Sequence, residues 1–168
     1  MLSDLELVRK VIEEHHSLSG QAKLVRDSLN DIEAFFSLQK TFSGWTLSSA
    51  EGLAEKRKQL AERLNLLDEG LRKHFRFEQE ALPPLVGDLL MKALVSEHQQ
   101  IRKELGRAVS LVSEVWPEGA SQQELLSRKS QIQDAINTTG QIVQEHAAKE
   151  ETMLKMLEET LAKQTRSP

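Results

Sequence analysis

Apolar residues recur along this chain at three- and four-residue intervals in four long stretches, the spacing that lines one face of a helix. The first stripe runs Val8, Val11/Ile12, Leu18, Ala22, Val25, Leu29, Ile32 and Phe36. The second runs Leu60, Leu64, Leu67, Leu71 and Leu82, and the third Leu90, Leu94, Ile101, Leu105, Ala108 and Val112. The fourth carries Leu125, Ile132, Ile136, Val143, Met153/Leu154, Leu157 and Leu161. The boundaries are punctuated. Ser3-x-x-Glu6 and Ser121-x-x-Glu124 read as capping boxes opening the first and last helices. The first helix is expected to end around Ser43-Gly44, with Trp45 to Ser49 as the turn and the second helix starting near Ser48 or Ser49. Pro83-Pro84 cannot continue a helical ladder, so the second helix ends there and the third begins at about Val86. Trp116-Pro117-Glu118-Gly119 closes the third, and Thr165 to Pro168 reads as a frayed tail. Four long amphipathic helices with short connections predict an all-α fold, an up-down-up-down antiparallel four-helix bundle forming one domain over residues 1–168.

The stripes are interrupted by polar residues, and these carry the chemistry. His74 and Glu78 stand four residues apart, on one face of a helix one turn apart. His146 and Glu150 repeat the spacing, and both pairs obey His-x3-Glu-x3-Leu. His15 and His98 share another frame, Glu-His-x2-Leu/Ile. Four of the five histidines thus fall on apolar stripes, while His16 lies about 100° round from the stripe centre and is the alternative to His15. Counting at ~1.5 Å per residue from each turn puts His15, His74 and His98 within roughly 3 Å of one level. His146 falls off that level by roughly 12 Å, unless the third connection is long and non-helical or the helices start unevenly.

With no cysteine, disulfides and thiolate ligands are excluded, and any metal must be held by nitrogen and oxygen. Six groups converge: His15, His74, Glu78, His98, His146 and Glu150. Two ions, each bound by two imidazoles and bridged by the two carboxylates, is the symmetric solution. Mixed imidazole and carboxylate ligation suits iron, manganese or zinc, not calcium or magnesium. Six protein groups leave positions for water, an oxo or hydroxo bridge, or O2. Two glutamates in an apolar core are costly without a cation. The net charge of −4 disfavours nucleic acid as a partner. No apolar run reaches the length of a membrane span, and the N-terminal stretch lacks signal-peptide character, so the expected location is the cytoplasm. Elsewhere, Lys56-Arg57-Lys58 reads as a solvated face, and Trp45 and Trp116 as caps on the bundle. Glu14, Glu97 and Glu145 each precede a site histidine and read as solvated or flanking, with an outer hydrogen-bonding role as the alternative.

The pattern of His15, His74-x3-Glu78, His98 and the His146 pair resembles the hemerythrin-like, or HHE cation-binding, domain across essentially the whole chain. The resemblance implies a four-helix bundle holding a non-haem di-iron centre, two iron ions that bind O2 or another small diatomic or peroxide ligand. The sequence departs from the family in two places. A histidine is usual four residues after the third-helix one, where this chain has Arg102. That arginine either gates the site, pairs with Glu78 or Glu150, or extends to solvent. The last family carboxylate often stands five residues after its histidine, which would select Glu151, whereas stripe position and the repeat with Glu78 favour Glu150. Three functions follow: a protein that binds or senses O2 or redox state, a di-iron enzyme reducing peroxide, O2 or nitric oxide or hydroxylating a substrate, and a metal-stabilised regulatory or interaction module. No substrate pocket is legible. The length of the first and last helices permits a homodimer.

Overall fold

The computed structural model describes residues 2–41, 47–117 and 119–164. Among them are five helices and no strand: α1 Asp4–Thr41, α2 Leu47–Ala81, α3 Pro83–Val86, α4 Asp88–Ser113 and α5 Gln122–Gln164. The fold is all-α. α1 packs against α2 and α5, and α4 packs against the same two, so the four long helices form a closed ring of neighbours. Both expected capping boxes form. The Glu6 carboxylate accepts the Ser3 N–H at 2.8 Å, and Glu124 accepts that of Ser121 at 2.7 Å.

The stripes face inward as two apolar clusters. The larger holds Leu29, Leu60, Leu64, Leu105, Ile132 and their neighbours. The smaller holds Val8, Val11, Leu82, Met91, Leu94 and Leu154. Each fully buried leucine contributes about 1.5–3 kcal/mol. His15, His74, Glu78, His98, His146 and Glu150 form a polar layer, flanked along the chain by residues of the two clusters.

Several expectations need correction. Pro83 and Pro84 end α2, but they also start the four-residue α3, because the first turn of a helix needs no N–H from them. Gly87 (φ 79°, ψ 163°) then turns the chain into α4. That conformation is essentially open to glycine alone. Leu90 is 39% exposed, and Met91, three residues before Leu94, takes the first core position of α4; from Leu94 to Val112 the expected stripe is the buried one. Arg57 is not solvated. Its guanidinium donates to the carbonyls of Val112 and Glu114 and lies over the Trp116 ring, 4.2 Å from the centroid, tying α2 to the end of α4. α2 already begins at Leu47, inside the expected turn; Ser43, Gly44, Trp45 and Thr165 to Pro168 lie outside the described residues. The roughly 12 Å offset of His146 is absorbed in the third connection. α5 starts well before the level at which α4 ends, so more helical residues separate Gln122 from His146 than separate His98 from Ser113. The His98 and His146 rings stand 4.8 Å apart.

Candidate metal centre

Each of the four long helices delivers one histidine inward, and α2 and α5 add a glutamate one turn further on. All six side chains are buried: His15 is 6% exposed and Glu78 fully enclosed. Glu78 spans the site. Its Oε1 lies 2.6 Å from His74 Nε2 and 3.5 Å from His15 Nε2, while its Oε2 lies 3.2 Å from His98 Nε2. Glu150 Oε2 lies 3.1 Å from His146 Nε2 and 3.4 Å from His15 Nε2. The donors fall into two quartets that share both carboxylates. One is His15, His74, Glu78 and Glu150, and the other Glu78, His98, His146 and Glu150. Within each quartet the donor atoms lie within 4.8 Å of one another.

Over this geometry lies a sequence match: the family model of the hemerythrin HHE cation-binding domain fits residues 6–158. The chain belongs to the hemerythrin HHE family. A search of the curated proteins and of the solved structures found no match. As a member of a cation-binding family, the hemerythrin domain can be tested for fit on its own atoms. The Nε2 atoms of these four histidines and all four oxygens of Glu78 and Glu150 are buried without a hydrogen-bond partner among the described residues. A buried unsatisfied polar atom costs about 1–3 kcal/mol, more when charged. Donor spacings of 2.6–3.5 Å are those of ligands around an ion held by bonds of about 2.0–2.2 Å. The donor set therefore fits a metal.

The outer nitrogens of three histidines are fixed in turn. His74 Nδ1 donates to Glu14 Oε2 at 2.9 Å, and His146 Nδ1 donates to Glu97 Oε2 at 2.9 Å. Gln79 lies 3.3 Å from His98 Nδ1. Each carboxylate fixes the tautomer that turns Nε2 inward. Glu14 and Glu97 thus serve histidines on other helices, not the ones that follow them in sequence, and they are only partly buried. Glu145 is exposed and accepts from Gln141. Gln79 carried no signal beyond its place next to Glu78. His15 Nδ1 is buried and has no hydrogen-bond partner among the described residues.

The remaining alternatives separate cleanly in space. His16 is exposed, whereas His15 lies between the two carboxylates. Glu151 is half-exposed and pairs with Lys155 at 2.6 Å, whereas Glu150 is buried in both quartets. Arg102 is exposed, pairs with neither Glu78 nor Glu150, and sits at the rim of a cleft that also reaches His98. Phe75 stacks on the His98 ring at 3.9 Å and 7°.

Burial acts against charge at His15, His146, Glu78 and Glu150, yet the charged partners win. For His15, burial lowers the pKa, but the adjacent carboxylates of Glu150 and Glu78 outweigh it and raise it to about 9. Burial likewise opposes the protonated form of His146, and Glu150 and Glu97 raise it. Burial would raise Glu78, but His15, His74 and His98 hold it well below the usual carboxylate range. Glu150 is lowered against its burial by His146 and His15. The His146 hydrogen bond lowers Glu97. The two carboxylate anions thus strengthen proton binding at His15 and His146, and a cation at the site would compete with those protons. Among the described residues no helix is long and apolar enough to cross a membrane.

Proposed function

We propose that this hemerythrin domain binds two non-haem iron ions at a carboxylate-bridged pair and uses them to bind or sense O2 or redox state in the cytoplasm. In this reading His15 and His74 serve one ion, His98 and His146 the other, and Glu78 and Glu150 bridge them. The observation that carries it is the pair of donor quartets sharing both glutamates. Iron bound there supplies two adjacent redox-active Lewis acids with positions left for an exogenous ligand. The protein's own part is to exclude bulk water, hold each imidazole by its outer nitrogen, and keep both carboxylates ionised. We read the ring of helix neighbours as an up-down-up-down antiparallel bundle and the chain as one domain, which a homodimer could present twice.

An enzyme is the second reading. It is favoured by a cavity of about 290 Å³ that reaches His15, His74 and His146 from the surface, room that a protein binding only a diatomic molecule does not need. Metal analysis with anaerobic visible spectroscopy tests the main proposal. About two irons per chain are expected, with a near-ultraviolet band that bleaches on reduction. Trace metal and no colour after reconstitution with ferrous iron would sink it. Steady turnover of peroxide, lost in His74→Ala, would move the assignment to the enzyme.

A further inference from the structure

The chain carries a net charge of −4, yet the face between α2 and α4 is basic. A cleft of about 300 Å³ opens there. Arg72, Arg76 and Arg102 line it with Gln79, Gln99 and His98, and no aspartate or glutamate does. A hollow of about 360 Å³ adjoins it, sharing Arg72, Gln99 and Arg102 and adding Lys103. Its one carboxylate, Asp68, is engaged by Arg72 Nε at 2.8 Å. That contact leaves the other guanidinium nitrogens of Arg72 to donate elsewhere.

Cations on α2 are otherwise neutralised along the helix, as Lys73 is by Glu69 at 2.6 Å. The pattern stops at the cleft. Three and four residues from Arg102 stand His98, Gln99, Leu105 and Gly106, and from Lys103 stand Gln99, Gln100, Gly106 and Arg107. Neither cation has a carboxylate within helical reach. Arg76 has Glu80 four residues on, but Glu80 is exposed and does not line the cleft. Arg76, Arg102 and Lys103 make no ion pair among the described residues. Arg72 and Arg76 stand four apart with the same charge, a spacing that costs stability unless an anion offsets it. Guanidinium groups gathered in a concave site without carboxylates are the complement of an oxyanion, which they grip with paired N–H donors.

We propose that the α2–α4 cleft binds a small organic anion of at least two negative charges, a phosphate ester or a dicarboxylate, through Arg72, Arg76 and Arg102. The site does not rest on the di-iron reading, because its charges belong to the side chains. His98 lines the cleft, and its Nε2 lies 3.2 Å from Glu78 Oε2, so the bound anion neighbours a candidate metal ligand. Arg102 is thus neither a gate nor a partner of the buried glutamates; it holds an anion on the outer side of the bundle.

The test uses the full chain loaded with zinc, which is diamagnetic, and three probes on one ring: benzenesulfonate, isophthalate and phenyl phosphate. Titrations followed by amide nuclear magnetic resonance should give saturable shifts centred on Gln99, Arg102, Lys103 and Gly106. The dianions should bind at least threefold tighter than the monoanionic sulfonate, by a margin that shrinks as salt rises. Their order tells a dicarboxylate site from a phosphate-ester site. Arg76→Gln and Arg102→Gln should each weaken the dianions roughly threefold to tenfold, the loss of one charged contact in a solvated cleft. Neither change should lower the thermal stability of the anion-free chain, since glutamine is a comparable helix former and Arg76→Gln relieves a like-charge pair. Arg26→Gln is the control, removing an exposed arginine of α1 that lies outside the cleft. No saturable shift, equal affinity for all three probes, or equal loss in Arg26→Gln overturns the site. Shifts centred on Glu78 and unchanged by Arg102→Gln would put the anion on the metal and overturn it too. Repeating the titration on the metal-free chain keeps this result separate from the di-iron proposal, since the cleft can fail with two metals bound and persist with none.

Discussion

Removing Glu78 or Glu150 takes away a group shared by both quartets, whereas removing His16 takes away an exposed ring. Alanine at either glutamate should therefore abolish paired-metal binding, and His16→Ala should leave stoichiometry at two, both read by elemental analysis after dialysis. Glu14 and Glu97 act one step out. Their alanine variants should lower metal affinity about 10–100-fold, measured by competition with a chromophoric chelator, because the imidazoles of His74 and His146 lose their orienting acceptors. Much at this scale was legible. A histidine or glutamate on an apolar stripe must be satisfied inside, so the stripe alone named the six buried side chains that form the two donor quartets. What it could not name were partners that cross between helices. Glu14 sits beside His15 in sequence but bonds His74, and Gln79 serves a histidine on the next helix. Arg57 looked like one of three solvated charges because nothing local reports that two carbonyls at the end of α4 lie within its reach.

Elements were read correctly wherever the signal was local and wrongly where the chain restarted. The capping boxes at Ser3 and Ser121 are interactions within four residues, and both form. Ser121→Ala should cost about 0.5–2 kcal/mol in urea unfolding. The stripe of α4 holds from Leu94 to Val112, and only its first position moves, from Leu90 to Met91, where the helix starts afresh after α3 and Gly87. Gly87→Ala should cost about 1–3 kcal/mol, since alanine avoids a backbone with φ 79° and ψ 163°. In the same measurement Gly106→Ala, in open space within α4, should be neutral or stabilising. A cost at Gly87 no larger than at Gly106 would show that the turn relaxes.

At the scale of the molecule the titrating core ties stability to pH, with opposite signs in the two metal states. In the metal-free protein His15 sits near 9, above its ordinary 6.5, so its contribution is full below about pH 6.5 and is lost as pH rises through about 9. Glu78, Glu150 and Glu97 are depressed below 4.5, so theirs is present above about pH 4.5 and is lost as pH falls. Thermal unfolding of the metal-free protein should therefore peak between about pH 4.5 and 6.5. Metal must displace those protons, so affinity should climb between pH 6.5 and 9, and a flat profile would argue that His15 is not a ligand. The polar layer also divides the core unequally. The larger apolar cluster spans most of the four long helices, while the smaller one, near α3, holds six buried side chains. Between them lies a layer in which two buried carboxylates repel each other unless a cation, or protons on the imidazoles, offsets their charge. Amides at Val8, Val11, Met91 and Leu94 should then exchange with deuterium far faster than those at Leu60 or Leu105, and slow again on metal addition. The ion thus works as a rivet, and a cell short of metal would meet a molecule loosened at one end only.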